Sequence, residues 1–549
     1  MMVKPGEKDE AATDAIQPGR YNRCLPRRNS MIRSLERRPL AVLAAALALG
    51  ASLSAITPPT VKFTDTKLQN GLRLIVAEDH VAPVFSIAVV YNVGSRDERK
   101  GRTGFAHLFE HMMFKGSENV GPGEHFYTVF ANGGTMNGTT NKERTLYFET
   151  MPANQLEAAM FLEADRMRSL AIVKDNLDNQ RNAVQEERRQ GLDNQPYGKT
   201  NEAVDELAFD NPAYKHSVIG SMDDLTAATT EDVAAFFQTY YAPNNAILAV
   251  AGDVTDARVR ELARKYFEPI PAQPAAPPVD ISQPPQNGER RLALEDSLAR
   301  LPRVDISYRI PPALSPDDGA IDVLTLVLSG GRSSRFYEGI VRQKQLAVNV
   351  NAFAPDSRGP RLLRIVATPT PGKTIEDLEA AISAEIEQVK TGPIADWEME
   401  KARNTARRQF VGQLGQSLTR AINLAEYALI YNDPGQINTR WDRLTKLTAA
   451  DVQRAAQQYL SAGNRSVVIT RPSSPGGKSG VAPRAAMRPD GKARRPRTGA
   501  PAARGLRGGV AISGIFEGGA TQPDGMQRWP NAAGLSPRAA KPAAGRGGL

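Results

Sequence analysis

Histidine and cysteine are the scarce residues of this chain, with five and one in 549 positions. The one cysteine, Cys24, lies ahead of an export-type leader, so the mature protein enters an oxidising compartment with no disulfide to form. Long apolar runs are missing too. The longest, Leu40 to Leu53, is too short to span a bilayer. It follows the basic stretch Met31–Arg38 and precedes the small residues Ala51, Ser52, Ser54 and Ala55, the layout of a cleaved secretory signal peptide over 31–55. Residues 1–30 match no domain pattern and are read as a non-native extension, with translation starting at Met31. The expected location is periplasmic or secreted, with no stable membrane span.

The folded body also lacks excess positive charge. Residues 472–549 hold 13 Lys or Arg against 3 Asp or Glu, and residues 1–55 hold 9 against 5. With a chain net of +9, the body 56–471 carries −5. Glycine and proline make up 26 of the last 78 residues, a composition that cannot bury enough apolar surface to order itself, so 472–549 is read as a disordered basic tail. A nucleic-acid partner needs its basic patch on a folded face, and none is expected.

Two of the five histidines fall together in His107-Leu108-Phe109-Glu110-His111. On a helix, positions i and i+4 share a face, so both imidazoles can reach one metal ion. Phe105, Leu108, Phe109, Met112 and Met113 recur at helical spacing as an apolar stripe, which leaves His107, Glu110 and His111 on the other side. The order His-x-x-Glu-His is that of the inverzincins. A catalytic zinc takes three protein ligands, so one more is required. In the helical segment Asp178–Arg189, Glu187 shares a face with Ala183 and Val184, whereas Glu186 sides with Asn179 and Asn182. Helical phase turns Glu187 inward. His80, His125 and His216 show no ligand spacing to the pair and are read as structural residues in connecting segments.

His107–His111 followed 76 residues later by Glu187 resembles the insulinase, pitrilysin and mitochondrial-processing-peptidase family of zinc metallopeptidases. The resemblance continues through Asn137-Gly138-Thr139-Thr140, Asn194-Gln195-Pro196-Tyr197-Gly198 and Ile219-Gly220-Ser221, and covers about residues 60–471. It implies one Zn2+ held by His107, His111 and Glu187, with Glu110 as general base in the hydrolysis of short or unfolded peptides. It also makes Asn137, Gly138 and Thr139 part of an edge strand that binds substrate by strand addition. The residues alone leave open a hairpin with its turn at Asn137-Gly138. Many relatives carry a second glutamate seven residues before the third ligand; here that position is Gln180.

Strand signals at 73–77, 84–91, 246–251, 304–310, 362–368 and 466–470 alternate with helical stretches around a proline-rich segment, 269–289. The expectation is α+β: two similar domains, each a mainly antiparallel sheet with helices, over 56–268 (metal-bearing) and 290–471 (metal-free). The second resembles its counterpart in the first half of long, two-half bacterial members. In relatives, an arginine and a tyrosine seven residues on, from the half facing the zinc, hold substrate. Here Arg342 is followed by Asn349. A homodimer or a separate partner half is therefore expected to close a chamber over the site. The competing readings are a non-catalytic peptide-binding subunit and a truncated, inactive half.

Overall fold

The computed structural model describes residues 59–473. The leader 31–55, the extension 1–30 and all but the first two residues of the tail lie outside the described residues. The strands are β1 (Thr64–Lys67), β2 (Arg73–Glu78), β3 (Val84–Tyr91), β4 (Thr135–Thr140), β5 (Thr145–Pro152) and β6 (Ala246–Gly252), then β7 (Arg290–Asp296), β8 (Arg303–Ile310), β9 (Ala347–Phe353), β10 (Arg361–Pro369) and β11 (Arg465–Pro472). The helices used below are α1 (Phe105–Met112), α2 (Glu124–Ala131), α3 (Leu156–Arg168), α4 (Lys174–Arg188), α5 (Gly198–Ala208), α6 (Asp318–Ser329), α7 (Asp396–Leu414) and α8 (Ser417–Ile430).

The first sheet runs β1-β2-β6-β3-β5-β4 and the second β7-β11-β8-β10-β9. Apart from β1, the two orders are the same path. In each sheet the last strand in sequence has one parallel partner (β2 for β6, β7 for β11), and the remaining pairs are antiparallel. The fold is thus a duplicated α+β domain, as its strand and helix pattern predicts.

Alternation along the central strands sets the layers. Phe85, Ile87, Val89 and Tyr91 of β3 enter the main core with α1, α3 and α4. The opposite face, with Ala88, Val90, Ile75 and Ala249, is covered by Leu424, Ala421 and Ala425 of α8, a helix from the second half of the chain. Ser86 and Ser417 join their hydroxyls across that contact at 2.8 Å. In return, α5 from the first half lies against β7, β8 and β11. There Ala203 and Val204 pack with Leu362 and Val468, and Thr200 meets Thr470 at 2.7 Å. Each domain lends the other a helix, which period-2 and period-3.6 patterns cannot foretell.

Candidate metal centre and substrate edge

Helix α1 starts at Gly104, whose φ of 87° lies in the left-handed region. A Cβ there would meet the Ile219 carbonyl oxygen at 2.5 Å, and one on Gly220 would meet that of Thr103 at 2.3 Å, so the two glycines let these segments cross. The first turn is fixed by Glu98, whose buried carboxylate accepts from the backbone N–H groups of Gly104 (2.9 Å) and Ala106 (2.8 Å). On the apolar side, Phe109 lies on Tyr241 with ring centroids 4.2 Å apart. The other side is buried as well: His107, Glu110 and His111 are 4–5% exposed, so the helix has no solvated face.

Glu187 arrives from α4, whose buried face also carries Leu177, Gln180 and Val184, while Glu186 points to solvent. Its carboxylate lies 3.5 Å from His107 Nε2 and 3.2 Å from His111 Nε2. Ligand atoms around a tetrahedral zinc with bonds of about 2.0–2.1 Å stand roughly 3.3 Å apart, so the three residues fit that ion. Burial, opposed in part by Glu187, drops the His107 imidazole to about 4, the neutral form a metal ligand needs. At Glu187 burial works against ionisation, but the hydrogen bond from His111 and the charges of both histidines prevail, and its carboxyl sits below the usual range.

Glu110 points from α1 to β4. Thr140 donates its hydroxyl hydrogen to Glu110 Oε2 at 2.6 Å. A Cβ on Gly138 would stand 3.0 Å from Glu110 Oε1, so glycine leaves the carboxylate its space. Burial raises the Glu110 carboxyl to about 7, against the pull of His111 and Thr140. β4 ends its sheet: β5 is its one strand neighbour among the described residues. Asn137 and Gly138 lie inside it opposite Phe148 and Tyr147, and the chain turns at Asn141–Arg144 instead. Asn137-Gly138 is therefore edge strand, not hairpin turn. Arg144 anchors the strand by donating to the Thr139 carbonyl oxygen (2.8 Å) and to Glu426 of α8 (2.8 Å).

Two family models match along this framework. Residues 73–221 match "Insulinase (Peptidase family M16)" and residues 227–406 match "Peptidase M16 inactive domain". The zinc protease PqqE of Helicobacter pylori is 31% identical over 427 residues, covering 77% of this chain and 96% of that protein. The chain belongs to the insulinase (M16) peptidase family. A crystal structure of a protease from H. pylori shares 30% identity at a TM-score of 0.72, covering 75% of this chain and all of that one. In fold alone, the chain is also similar to the first half of the periplasmic protease PqqL from Escherichia coli (20% identity, TM-score 0.64, 76% and 93% covered).

Within this family framework, the second domain brings no histidine, and its Arg342 pairs with Glu338 of its own helix at 2.9 Å while Asn349 sits exposed on β9. Sequence reasoning passed over Glu98 and Thr140. Glu98 had no local signal, because it caps a helix six residues ahead of it. Thr140 was within reach: in a strand, residue 140 shares the face of 138. One reading is corrected. His125 lies on helix α2, not in a connecting segment, and is fully buried beside two carboxylates.

Proposed function

We propose that the chain is a zinc-dependent metalloendopeptidase that hydrolyses short or unfolded peptides. The observation that carries this reading is the convergence of His107, His111 and Glu187 from two helices, with the Glu110 carboxylate beside them. Zinc, when bound by these three, supplies Lewis acidity to the scissile carbonyl. Glu110 takes a proton from the attacking water at its carboxylate and returns it to the departing amine. Thr140 holds Glu110 on the β4 side. The open edge of β4 at 137–139 takes the peptide as an added strand, with main-chain hydrogen bonds for affinity and alternate side chains left for selectivity. The protein acts after export, and a second copy or separate half closes the chamber. A peptide-binding subunit without turnover is the second reading, favoured by a second domain that offers the site no group.

The test is cleavage of a quenched, unstructured peptide library by the protein and by Glu110→Gln, with zinc measured on both. Cleavage by the unsubstituted protein alone, at equal zinc, is the expected result. Equal rates in both would remove Glu110 from the mechanism. Zinc in both without cleavage would favour the binding subunit.

A further inference from the structure

A second histidine and two carboxylates meet behind the substrate edge. His125 of α2, Glu149 of β5 and Glu163 of α3 are 4%, 1% and 1% exposed, and one ligand atom from each lies within 4.8 Å of the others. His125 Nε2 is 3.5 Å from Glu149 Oε2 and 3.9 Å from Glu163 Oε1. Good N–H···O hydrogen bonds run about 2.7–3.2 Å, so these are not hydrogen bonds. Neither Glu149 oxygen, nor His125 Nε2, has a hydrogen-bond partner among the described residues. Arg166 reaches Glu163 through Nε at 3.1 Å and through Nη2, its Nη1 has no hydrogen-bond partner among the described residues, and its guanidinium rests on the rings of Phe114 and Tyr147.

The charges do not balance. Burial first, then Arg166, hold His125 neutral, down at about 3. Two carboxylates against one guanidinium leave one negative charge in a buried cluster, a costly arrangement unless something neutralises it. A proton on Glu149 would remove the charge, and burial does raise that carboxyl to about 7. Yet the acid would still have to donate its hydrogen, and the acceptor that faces it, His125 Nε2, stands 3.5 Å away, longer than a good hydrogen bond. A divalent cation gives Glu149 and His125 Nε2 the partner they lack; it changes the residual charge from one negative to one positive, so the orphaned ligand atoms, and not the charge count, call for it. Ligand atoms on an ion with bonds of about 2.0–2.2 Å stand between roughly 2.9 and 4.4 Å apart, and the two separations fall inside that range. One imidazole nitrogen with two carboxylates suits a borderline or harder ion such as Zn2+ or Mn2+.

We propose that His125, Glu149 and Glu163 form a second, structural site for a divalent transition-metal cation. It ties α2, β5 and α3 together behind β4. Glu149 stands opposite Met136, the residue before Asn137 on that strand, so the ion stiffens the backing of the edge. The site shares no ligand with His107, His111 and Glu187.

The experiment counts metal on the full chain after stripping and equilibration with Zn2+ or, separately, Mn2+. About two equivalents are expected with Zn2+ on the unsubstituted protein, and about one on His107→Ala/His111→Ala, which leaves this cluster intact. Adding His125→Ala to that variant should remove the remainder. Loading the double variant with Co2+ should give visible ligand-field bands that the triple variant lacks. Absence of Zn2+ and Mn2+ from His107→Ala/His111→Ala would overturn the proposal and leave a proton with a buried water as the balancing charge. A single equivalent lost on His125→Ala, but not on His107→Ala/His111→Ala, would sustain this site and sink the first.

Discussion

Leu424 belongs to the second half of the chain but is buried in the outer layer of the first sheet. It is 0% exposed among Ile75, Val90 and Ala249, with Ala421, Ala425 and Ala428 beside it on α8. Leu424→Ala removes the transfer free energy of the lost atoms and leaves a cavity. Buried leucines cost about 2.7–5.0 kcal/mol on such truncation, depending on how far the site collapses. Ala88, Ala249 and Ala251 line this face and have no side chain to swing inward, so the upper half applies, about 4 kcal/mol. At about 1.4 kcal/mol per factor of ten, opening of the α8 contact becomes roughly a thousandfold more frequent. Native-state hydrogen exchange locates the effect. Amides of α8 and of β3 and β6 should lose protection by that factor, while β8 and β10 keep theirs. A loss under about 1 kcal/mol, or one confined to residues 290–471, would refute the claim that α8 is structural to the first sheet.

Thr140→Val should lower kcat/KM about 10- to 150-fold at unchanged zinc content, since a hydrogen bond to a charged group contributes roughly 1.5–3 kcal/mol; Thr140→Ser should stay near the original rate, and equal behaviour of the two variants would sink the positioning role. Acid should loosen the junction between domains at Glu143, which accepts from Arg96, Tyr214 and Ser357 and pairs with Arg358. Burial raises the Glu143 carboxyl, but Arg96, Arg358 and the two hydroxyls outweigh it and leave it below its ordinary value. Its contribution is therefore complete above the unfolded carboxylate range and lost as pH falls through the lower folded value. Glu143→Gln should abolish that part of the acid dependence, read from urea midpoints at pH 7 and below 4.

What the sequence made legible depended on how local the cause was. β3 reads as one continuous run rich in β-branched and aromatic residues from Val84 to Tyr91, and Glu187 faces inward because helical phase dictates it. His125 was misplaced because α2 shows Tyr127 and Phe130 to solvent (75% and 53% exposed), which blurs the amphipathic pattern of an eight-residue helix. β7 was silent because none of its residues is fully buried, so Arg290–Asp296 carries no core signal. The Asn137-Gly138 dipeptide fits a turn or a strand beside Glu110, and that choice is made by a carboxylate 27 residues away. Which sheet α8 covers is likewise set by partners more than 300 positions distant, as Ser86 and Ser417 show.

A third candidate group among the described residues shows why a cluster alone does not call for a metal. α6 follows β8 and packs on β9 as α1 follows β3 and packs on β4. It carries Asp318 and Asp322, which meet Asp356. Here every carboxylate has a guanidinium partner. Arg440 reaches Asp322 at 2.8 Å and Asp356 at 2.6 Å, and Arg361 reaches Asp318 at 2.5 Å. Arg440→Met keeps the length and removes the charge, leaving half-buried Asp322 without its guanidinium partner while Asp318 and Asp356 keep Arg361, a loss of about 3 kcal/mol near neutral pH, the low end for breaking a buried pair. Burial and the neighbouring aspartates already raise Asp318 to about 6, despite Arg440 and Arg361. Without Arg440 it rises further. A carboxyl raised in the folded state binds its proton more tightly there than in the unfolded chain, so the penalty is relieved as pH falls below the folded value. The deficit of Arg440→Met relative to the unsubstituted protein should accordingly shrink from pH 7.5 to pH 5, measured by urea unfolding at both. A deficit of the same size at both pH values would mean that Arg440 acts through packing on Tyr431, not through charge.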